Sequence, residues 1–248
     1  MKRSARFEQQ PPFARANCFA CQGRNRSEWC QLDSTDLALL DSNKVTSRYE
    51  AGQELFRQGD PCPGVYIIER GTVAERRDDA QGNSAVIRLR HAGESLGYRD
   101  YFAGDVCSNS AVAVAECTIC FIPRQAVQAL LERNPALGLR FLTRLAADLK
   151  STEDTILHNT ALSMRKRLVH LLLSLKDHYG EMTDEGILRL ELPLARQEIA
   201  SLLGSRPETV ARTIHALEED GIAVFAGRAV LISDLDKLLD ELEADTEP

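Results

Sequence analysis

The sequence predicts an α+β chain: an N-terminal β-roll of the jelly-roll type, one long helix, and a C-terminal winged helix-turn-helix. Three observations predict it. Between residues 45 and 123, short apolar runs are broken by Gly52, Gly59, Gly64, Gly71, Gly82, Gly93, Gly97 and Gly104, the regular spacing of strands and turns that closes a barrel or jelly roll. From about residue 136 to 162 the period becomes helical, with Leu142, Leu149 and Ile156 one heptad apart. Beyond Leu194, two short helices joined by a tight turn are followed by two short strands around Gly227.

Taken in order, residues 1–33 read as irregular. They carry Cys18-Phe19-Ala20-Cys21 and, after eight residues, Cys30, in a stretch with little that would build its own core. Such a segment needs another element to hold it. Leu37, Leu39 and Leu40 imply a short helix over 35–42, and residues 65–68, 72–74, 85–89, 111–114 and 118–122 read as strands. Helical periodicity begins near Arg124 and breaks once, at Asn134-Pro135. In the longer helix that follows, Leu142, Leu149 and Ile156 have Leu145 or Ala146 and Thr152 or Glu153 between them. This is either the seam of a parallel homodimer, with Glu153 on or beside it, or the buried stripe of a helix lying on the barrel. Leu168, Leu171, Leu172 and Leu175 place another helix at 163–178, and a strand follows at 187–192. The implied divisions are a cysteine-bearing segment (1–33), a roll (34–134), a dimerisation helix (135–162) and a DNA-facing domain with an acidic tail (163–248).

In the stretch 194–217, Ile199, Leu202 and Leu203 form one apolar face, Ala200 is small enough for a close helix crossing, and Gly204 ends the helix. A second helix starts at Pro207, where a missing N–H costs nothing, with Ser205 or Arg206 near its N-cap. Val210, Ile214 and Leu217 make its inward stripe. Arg206, Glu208, Thr209, Ala211, Arg212 and His215 are left facing outward, as a recognition helix presents side chains to the major groove. An ordinary helical hairpin has the same local pattern. The two strands over 222–232 add a wing, which favours a reader of double-stranded DNA.

With 44% hydrophobic residues in 248, the chain has enough apolar surface for real cores. No apolar run approaches the ~20 residues of a membrane span, and Met1-Lys2-Arg3-Ser4-Ala5-Arg6 is polar with no apolar region behind it, so a cytoplasmic protein with no membrane partner is expected. The net charge of −7 says little about a DNA face. Residues 234–248 hold seven acids (Asp234, Asp236, Asp240, Glu241, Glu243, Asp245 and Glu247) against Lys237 alone, a net −6, which leaves about −1 for the rest. Seven cysteines, an odd number in a chain without a secretion signal, disfavour a disulfide framework and leave metal ligation, redox chemistry or burial. No nucleophile elbow, P-loop or metalloprotease helix is present, which argues against an enzyme.

Residues Ala51-Gly52-Gln53-Glu54-Leu55-Phe56-Arg57-Gln58-Gly59-Asp60 and Tyr66-Ile67-Ile68-Glu69-Arg70-Gly71, together with Pro207-Glu208-Thr209-Val210-Ala211-Arg212, resemble the β-roll and recognition-helix motifs of the Crp/Fnr family of transcription regulators. The element order matches that family across nearly the whole chain. The resemblance implies a cyclic-nucleotide-binding-like roll (a double-stranded β-helix), a homodimer, binding to double-stranded DNA, and RNA polymerase as a further partner. Cyclic-nucleotide binders of the family carry a Glu and an Arg-Ser or Arg-Thr pair where this chain has Tyr98 and Asn109-Ser110. Without the arginine a cyclic phosphate loses its charge-assisted partner, so no cyclic AMP is expected. The Fnr branch senses oxygen through a [4Fe-4S] cluster on three N-terminal cysteines and one from the roll, which implies Cys18, Cys21, Cys30 and Cys120 as ligands here. The gap before Cys30 is longer than in the well-studied Fnr proteins, at small entropic cost. Cys107, Cys117 and Cys62 are the other candidates for the fourth ligand, Cys107 the best of them; Cys117 lies on the opposite strand face from Cys120. Zinc on the same thiols is the alternative metal. Haem is disfavoured because His91, His158, His170, His178 and His215 show no pairing pattern. On the DNA side the resemblance implies that Glu208 and Arg212 read the central G·C pair of TTGAT-like half-sites, since Pro207 cannot donate to the extra guanine of the TGTGA-like form.

Overall fold

The computed structural model describes residues 17–243. A 3-10 turn at Cys18–Ala20 and a one-turn helix α1 (Gln22–Asn25) come first. Helix α2 (Ser34–Asn43) is capped by Asp33, whose carboxylate accepts from the Asp36 N–H at 2.8 Å. Then come β1 (Val45–Tyr49), β2 (Glu54–Phe56), β3 (Gly64–Arg70), β4 (Thr72–Asp78), β5 (Ser84–His91), β6 (Ser95–Leu96), α3 (Tyr98–Ala103), β7 (Ser110–Ala113) and β8 (Cys117–Pro123). The eight strands form two four-stranded sheets, ordered β1-β8-β3-β6 and β2-β7-β4-β5, which is the expected roll. Strands β1, β2 and β6 and helix α3 are elements that the sequence reading did not place.

Strands β3 and β8 are covered on both faces. Tyr66, Ile68, Cys117 and Ile119 point into the roll, whereas Val65, Ile67, Cys120 and Ile122 point outward against helices, as a period of two requires. Gly64 belongs in this ladder because a Cβ there would come within 2.0 Å of the Ile122 carbonyl oxygen.

The outer layer supplies what holds the described part of the cysteine-bearing segment, residues 17–33, which builds little core of its own. Trp29 is fully buried among Leu37, Leu40, Ile67, Leu137 and Phe141. Its ring meets Phe141 edge-on at 5.4 Å, and its Nε1 donates to Ser95 Oγ at 3.2 Å. The segment borrows the roll's outer core through one large side chain, which the density of apolar residues along the segment does not reveal.

After β8, α4 (Arg124–Arg133) ends before Pro135, which opens α5 (Pro135–Ala161). The chain divides into two compact units, the first closing at Ala147 within α5 and the second made of Asp148 onward together with Ala85–Ile87 of β5. The second unit continues with α6 (Met164–Tyr179), β9 (Gly180–Met182), β10 (Leu188–Glu191), α7 (Arg196–Leu202), α8 (Pro207–Glu219), β11 (Val224–Ala226), β12 (Ala229–Ile232) and α9 (Leu235–Glu243). Its sheet runs β11-β12-β10-β9, with the wing formed by β11 and β12 around Gly227 at φ +64°. Arg165 on α6 ties this unit together, donating to Glu241 on α9 at 2.9 Å and pairing with Asp220 at the end of α8 at 2.7 Å.

Candidate metal centre and nucleic-acid interface

Three of the four expected ligands line one pocket. Cys18, Cys21 and Cys120 line one small pocket, a cavity of about 20 Å³, with Arg24, Leu40, Lys44, Ile67, Glu69 and Ile122. Register explains how Cys120 arrives there: it pairs with Ile67 on β3 and Thr46 on β1, and its even position turns it outward to the N-terminal segment. Gly23 lies against the β3 backbone, where a Cβ would sit 3.2 Å from the Glu69 carbonyl oxygen, so α1 approaches the strand closely. Burial pushes the Cys18 thiol up to about 11 and the Cys120 thiol up to about 12.

Cys30 is off this wall. It is held to it by Arg24, whose Nε donates to the Cys18 carbonyl at 2.9 Å while Nη1 donates to the Cys30 carbonyl, also at 2.9 Å. Among the described residues, no three Cys, His, Asp or Glu side chains are gathered closely enough to hold one metal ion. The donor set nevertheless suits a sulfur-ligated group, since the pocket offers thiols with Arg24 and Lys44 beside them, Lys44 being paired with Asp41, although the Glu69 carboxylate on the same wall opposes a thiolate at Cys120. The alternative fourth ligands are elsewhere: Cys62, Cys107 and Cys117 all lie in the core inside the roll.

The loop between α1 and α2, which carries Cys30, is fastened to the long helix. Arg140 on α5 donates to the Glu28 carbonyl, and its Nη1 donates to Gln31 Oε1 at 3.2 Å. Arg144, one turn on, pairs with Glu94 and lies 4.0 Å from Glu28, whose carboxylate accepts from Ser95 Oγ at 2.6 Å. Sequence reasoning missed this link, because a pair of arginines at i and i+4 gives no sign of what it meets.

On α5, Leu142, Leu149 and Ile156 are 60%, 61% and 60% exposed, a stripe too apolar for a solvated face. Leu139, at 65%, extends the stripe by one position that the sequence reading did not include. Ala146, Thr152 and Glu153 are exposed, whereas Leu145 is half-buried against the roll's outer core and belongs to its own subunit's packing.

In the second unit, Gly204 at φ +60° turns the chain between α7 and α8. Val210, Ile214 and Leu217 bury the inner face of α8. Arg206, Glu208, Ala211 and Arg212 are exposed and Thr209 is half-buried, so the early turns present the expected face. The wing is fixed to this helix by the Phe225 N–H, which donates to Glu218 Oε1 at 2.9 Å, and to α7 by Arg196, stacked 5.4 Å from the Phe225 ring centre. Two of the five histidines meet. His158 stacks on His170 with ring centres 4.7 Å apart and planes 15° apart, in a cleft with Asp154 and Arg167. Eleven residues and a helix break separate them, so no fixed spacing in the sequence reveals the contact. In the roll, Tyr98 is buried 5.6 Å from Phe141, and the Ser110 hydroxyl already accepts from the Gln58 N–H at 3.0 Å.

Comparison with known proteins fits this geometry. Residues 46–134 match the model of the cyclic nucleotide-binding domain, and residues 166–241 that of the Crp-like helix-turn-helix domain. The chain is 27% identical to the transcriptional activator protein FnrL of Cereibacter sphaeroides, over 93% of each chain. It is 26% identical to a CRP-like cAMP-activated global transcriptional regulator of Mycobacterium tuberculosis, over 84% of this chain and 92% of that one. The solved structure of FixK2 from Bradyrhizobium japonicum shares the fold, with a TM-score of 0.69 and 20% identity, covering 82% of this chain and 99% of that one. Roll, long helix and winged helix-turn-helix thus define a DNA-binding transcription regulator rather than an enzyme. The chain belongs to the Crp/Fnr family. Among the described residues no helix is long and apolar enough to cross a membrane.

Proposed function

We infer that this regulator is a homodimer whose DNA binding is governed by an oxygen- or redox-sensitive [4Fe-4S] cluster held by Cys18, Cys21, Cys30 and Cys120. The observation that carries this reading is the convergence of Cys18, Cys21 and Cys120 on one pocket, with Cys30 tied to the Cys18 backbone through Arg24. FnrL, matched over nearly its whole length, points in the same direction. A bound cluster supplies redox chemistry at the boundary between roll and N-terminal segment. The chain's own residues do the rest. Arg24 and Lys44 offset negative charge at the thiols. Glu28, Arg140 and Arg144 transmit the position of the Cys30 loop to α5, where Leu139, Leu142, Leu149 and Ile156 meet their counterparts in a second copy. Glu153 sits on that seam, and like charges from two chains weaken the dimer until the loop is fixed.

In each subunit Arg212 donates twice to a guanine and Glu208 accepts from the cytosine amine, on TTGAT-like inverted half-sites about one helical turn apart. Arg206 and Thr209 serve the flanking backbone and bases, and Ala211 offers only a methyl contact. The bound regulator then meets RNA polymerase at the promoter.

Purification under nitrogen tests the ligand assignment. A brown protein with a visible absorption shoulder, iron and acid-labile sulfide is expected. A colourless protein carrying zinc, or no metal, contradicts it.

A further inference from the structure

Cys62 and Cys107 take no part in the site above, yet they share one position. Cys62 lies in the loop before β3 and Cys107 in the loop before β7. The two loops run antiparallel: the Cys107 N–H donates to the Asp60 carbonyl at 2.8 Å, the Gly59 N–H donates to the Cys107 carbonyl at 2.8 Å, and Pro61 is bridged to Val106. That pairing brings the two cysteines onto one core inside the roll, with Phe56, Tyr66 and Leu96. Cys62 Sγ also lies 3.5 Å from the carbonyl oxygens of Gly64 and Gly97.

We propose that Cys62 and Cys107 form a second redox site, independent of the cluster: a dithiol that a small hydroperoxide converts to an intrachain disulfide. The two thiols are unequal. The hydrogen bond from Cys107 holds the Cys62 thiol below the usual range, and Arg124 adds to this while Asp100 opposes it; the same bond together with burial holds Cys107 above it. Cys62 is also the less enclosed of the two and has the Arg124 guanidinium at its own carbonyl, 3.3 Å away, which suits it to attack and leaves Cys107 to resolve. The Cys62 thiolate attacks a peroxide oxygen, the O–O bond breaks, and Cys62 becomes a sulfenic acid as the alcohol leaves, or water when the oxidant is hydrogen peroxide. Cys107 then attacks the Cys62 sulfur, the S–O bond breaks and water departs. Two thiols lose two electrons, the peroxide gains two, and the two thiol protons end on the water and the alcohol. Both sulfurs are nearly closed to solvent, which restricts the oxidant to small molecules. The site is also one helix away from α5. Gly97, whose carbonyl faces the Cys62 thiol, leads into α3, and the Tyr98 and Phe102 rings of that helix lie 5.6 and 5.2 Å from Phe141.

The test is peptide mass spectrometry on the full chain after hydrogen peroxide treatment, alkylation with N-ethylmaleimide and digestion without reductant. A Cys62–Cys107 linked peptide is expected in the wild type, and equally in Cys120→Ser, so that the result does not depend on any cluster. In Cys107→Ser, Cys62 should instead carry a dimedone-reactive sulfenic acid. Finding both residues alkylated after unfolding overturns the proposal, as does Cys62 driven to a sulfinate without a link, or either sulfur linked to another cysteine. If Cys107→Ser does not fold, the wild-type and Cys120→Ser spectra decide.

Discussion

Cys120 stands opposite Ile67 in the β3–β8 ladder, and that register decides which roll cysteine faces the N-terminal segment. Strand parity made this legible in the sequence: three residues along β8, Cys117 must point the other way, and it does. The place of Cys30 was not legible, because it depends on Trp29 burying itself beneath α5 and on Arg24 bridging two carbonyls. Replacing Cys18, Cys21, Cys30 or Cys120 singly with Ser is expected to abolish iron retention, whereas Cys62→Ser, Cys107→Ser and Cys117→Ser retain it, as iron analysis of anaerobic protein will show. Full iron content in Cys120→Ser sinks the assignment of the fourth ligand. In the DNA-binding unit the outward face of α8 followed directly from its buried stripe. Arg212→Ala should weaken binding by roughly 1 to 3 kcal/mol and relax the preference at one guanine, which titration against sites substituted at that base measures. An equal loss on every sequence would make Arg212 a phosphate contact.

Among the elements, the long helices and the glycine-bounded central strands could be read from periodicity. Strands β1, β2 and β6 could not, being short or largely polar and made into strands by their partners. The heptad in α5 was readable, but its second line was not: only packing shows that Leu145 turns to the roll while Leu139 stays outside. Arg140 and Arg144 are where α5 meets the Cys30 loop. Arg144→Ala should leave the iron content unchanged yet weaken the dimer of iron-loaded protein toward that of iron-free protein in sedimentation velocity; an unchanged dimer would remove the loop-to-helix link. The His158–His170 stack carries a pH dependence. Burial, then the charges of His158 and Lys166, hold His170 below its ordinary 6.5. The folded state therefore takes up this proton less readily than the unfolded one. Its contribution falls as pH drops from 6.5 to the lowered folded value, and levels off beneath that. Urea unfolding midpoints should decline between pH 7 and pH 5, with a smaller decline in His170→Asn, and equal declines would exclude this histidine as the source.

At the scale of the whole molecule, the fold class could be read from the order of three patterns: glycine-punctuated strands, one long helix, and two short helices with a wing. The proposed control was harder to read, since it rests on segments far apart in sequence, Glu28 beside Arg144 and Cys18 on one pocket wall with Cys120. In the proposed reading the thiol pocket connects through Glu28, Arg140 and Arg144 to α5, whose exposed stripe runs from Leu139 in the first unit to Ile156 in the second. A cluster that fixes the Cys30 loop thereby favours the dimer, and a dimer engages two half-sites where a monomer engages one. The most direct test measures affinity for an inverted TTGAT-type site under nitrogen, then again after air exposure of the same sample, with Cys120→Ser alongside. Tight binding under nitrogen that is lost in air, and weak binding by Cys120→Ser in both, is expected. Equal affinity of the wild type before and after air, or full affinity in Cys120→Ser, contradicts control of DNA binding by a cluster on these thiols.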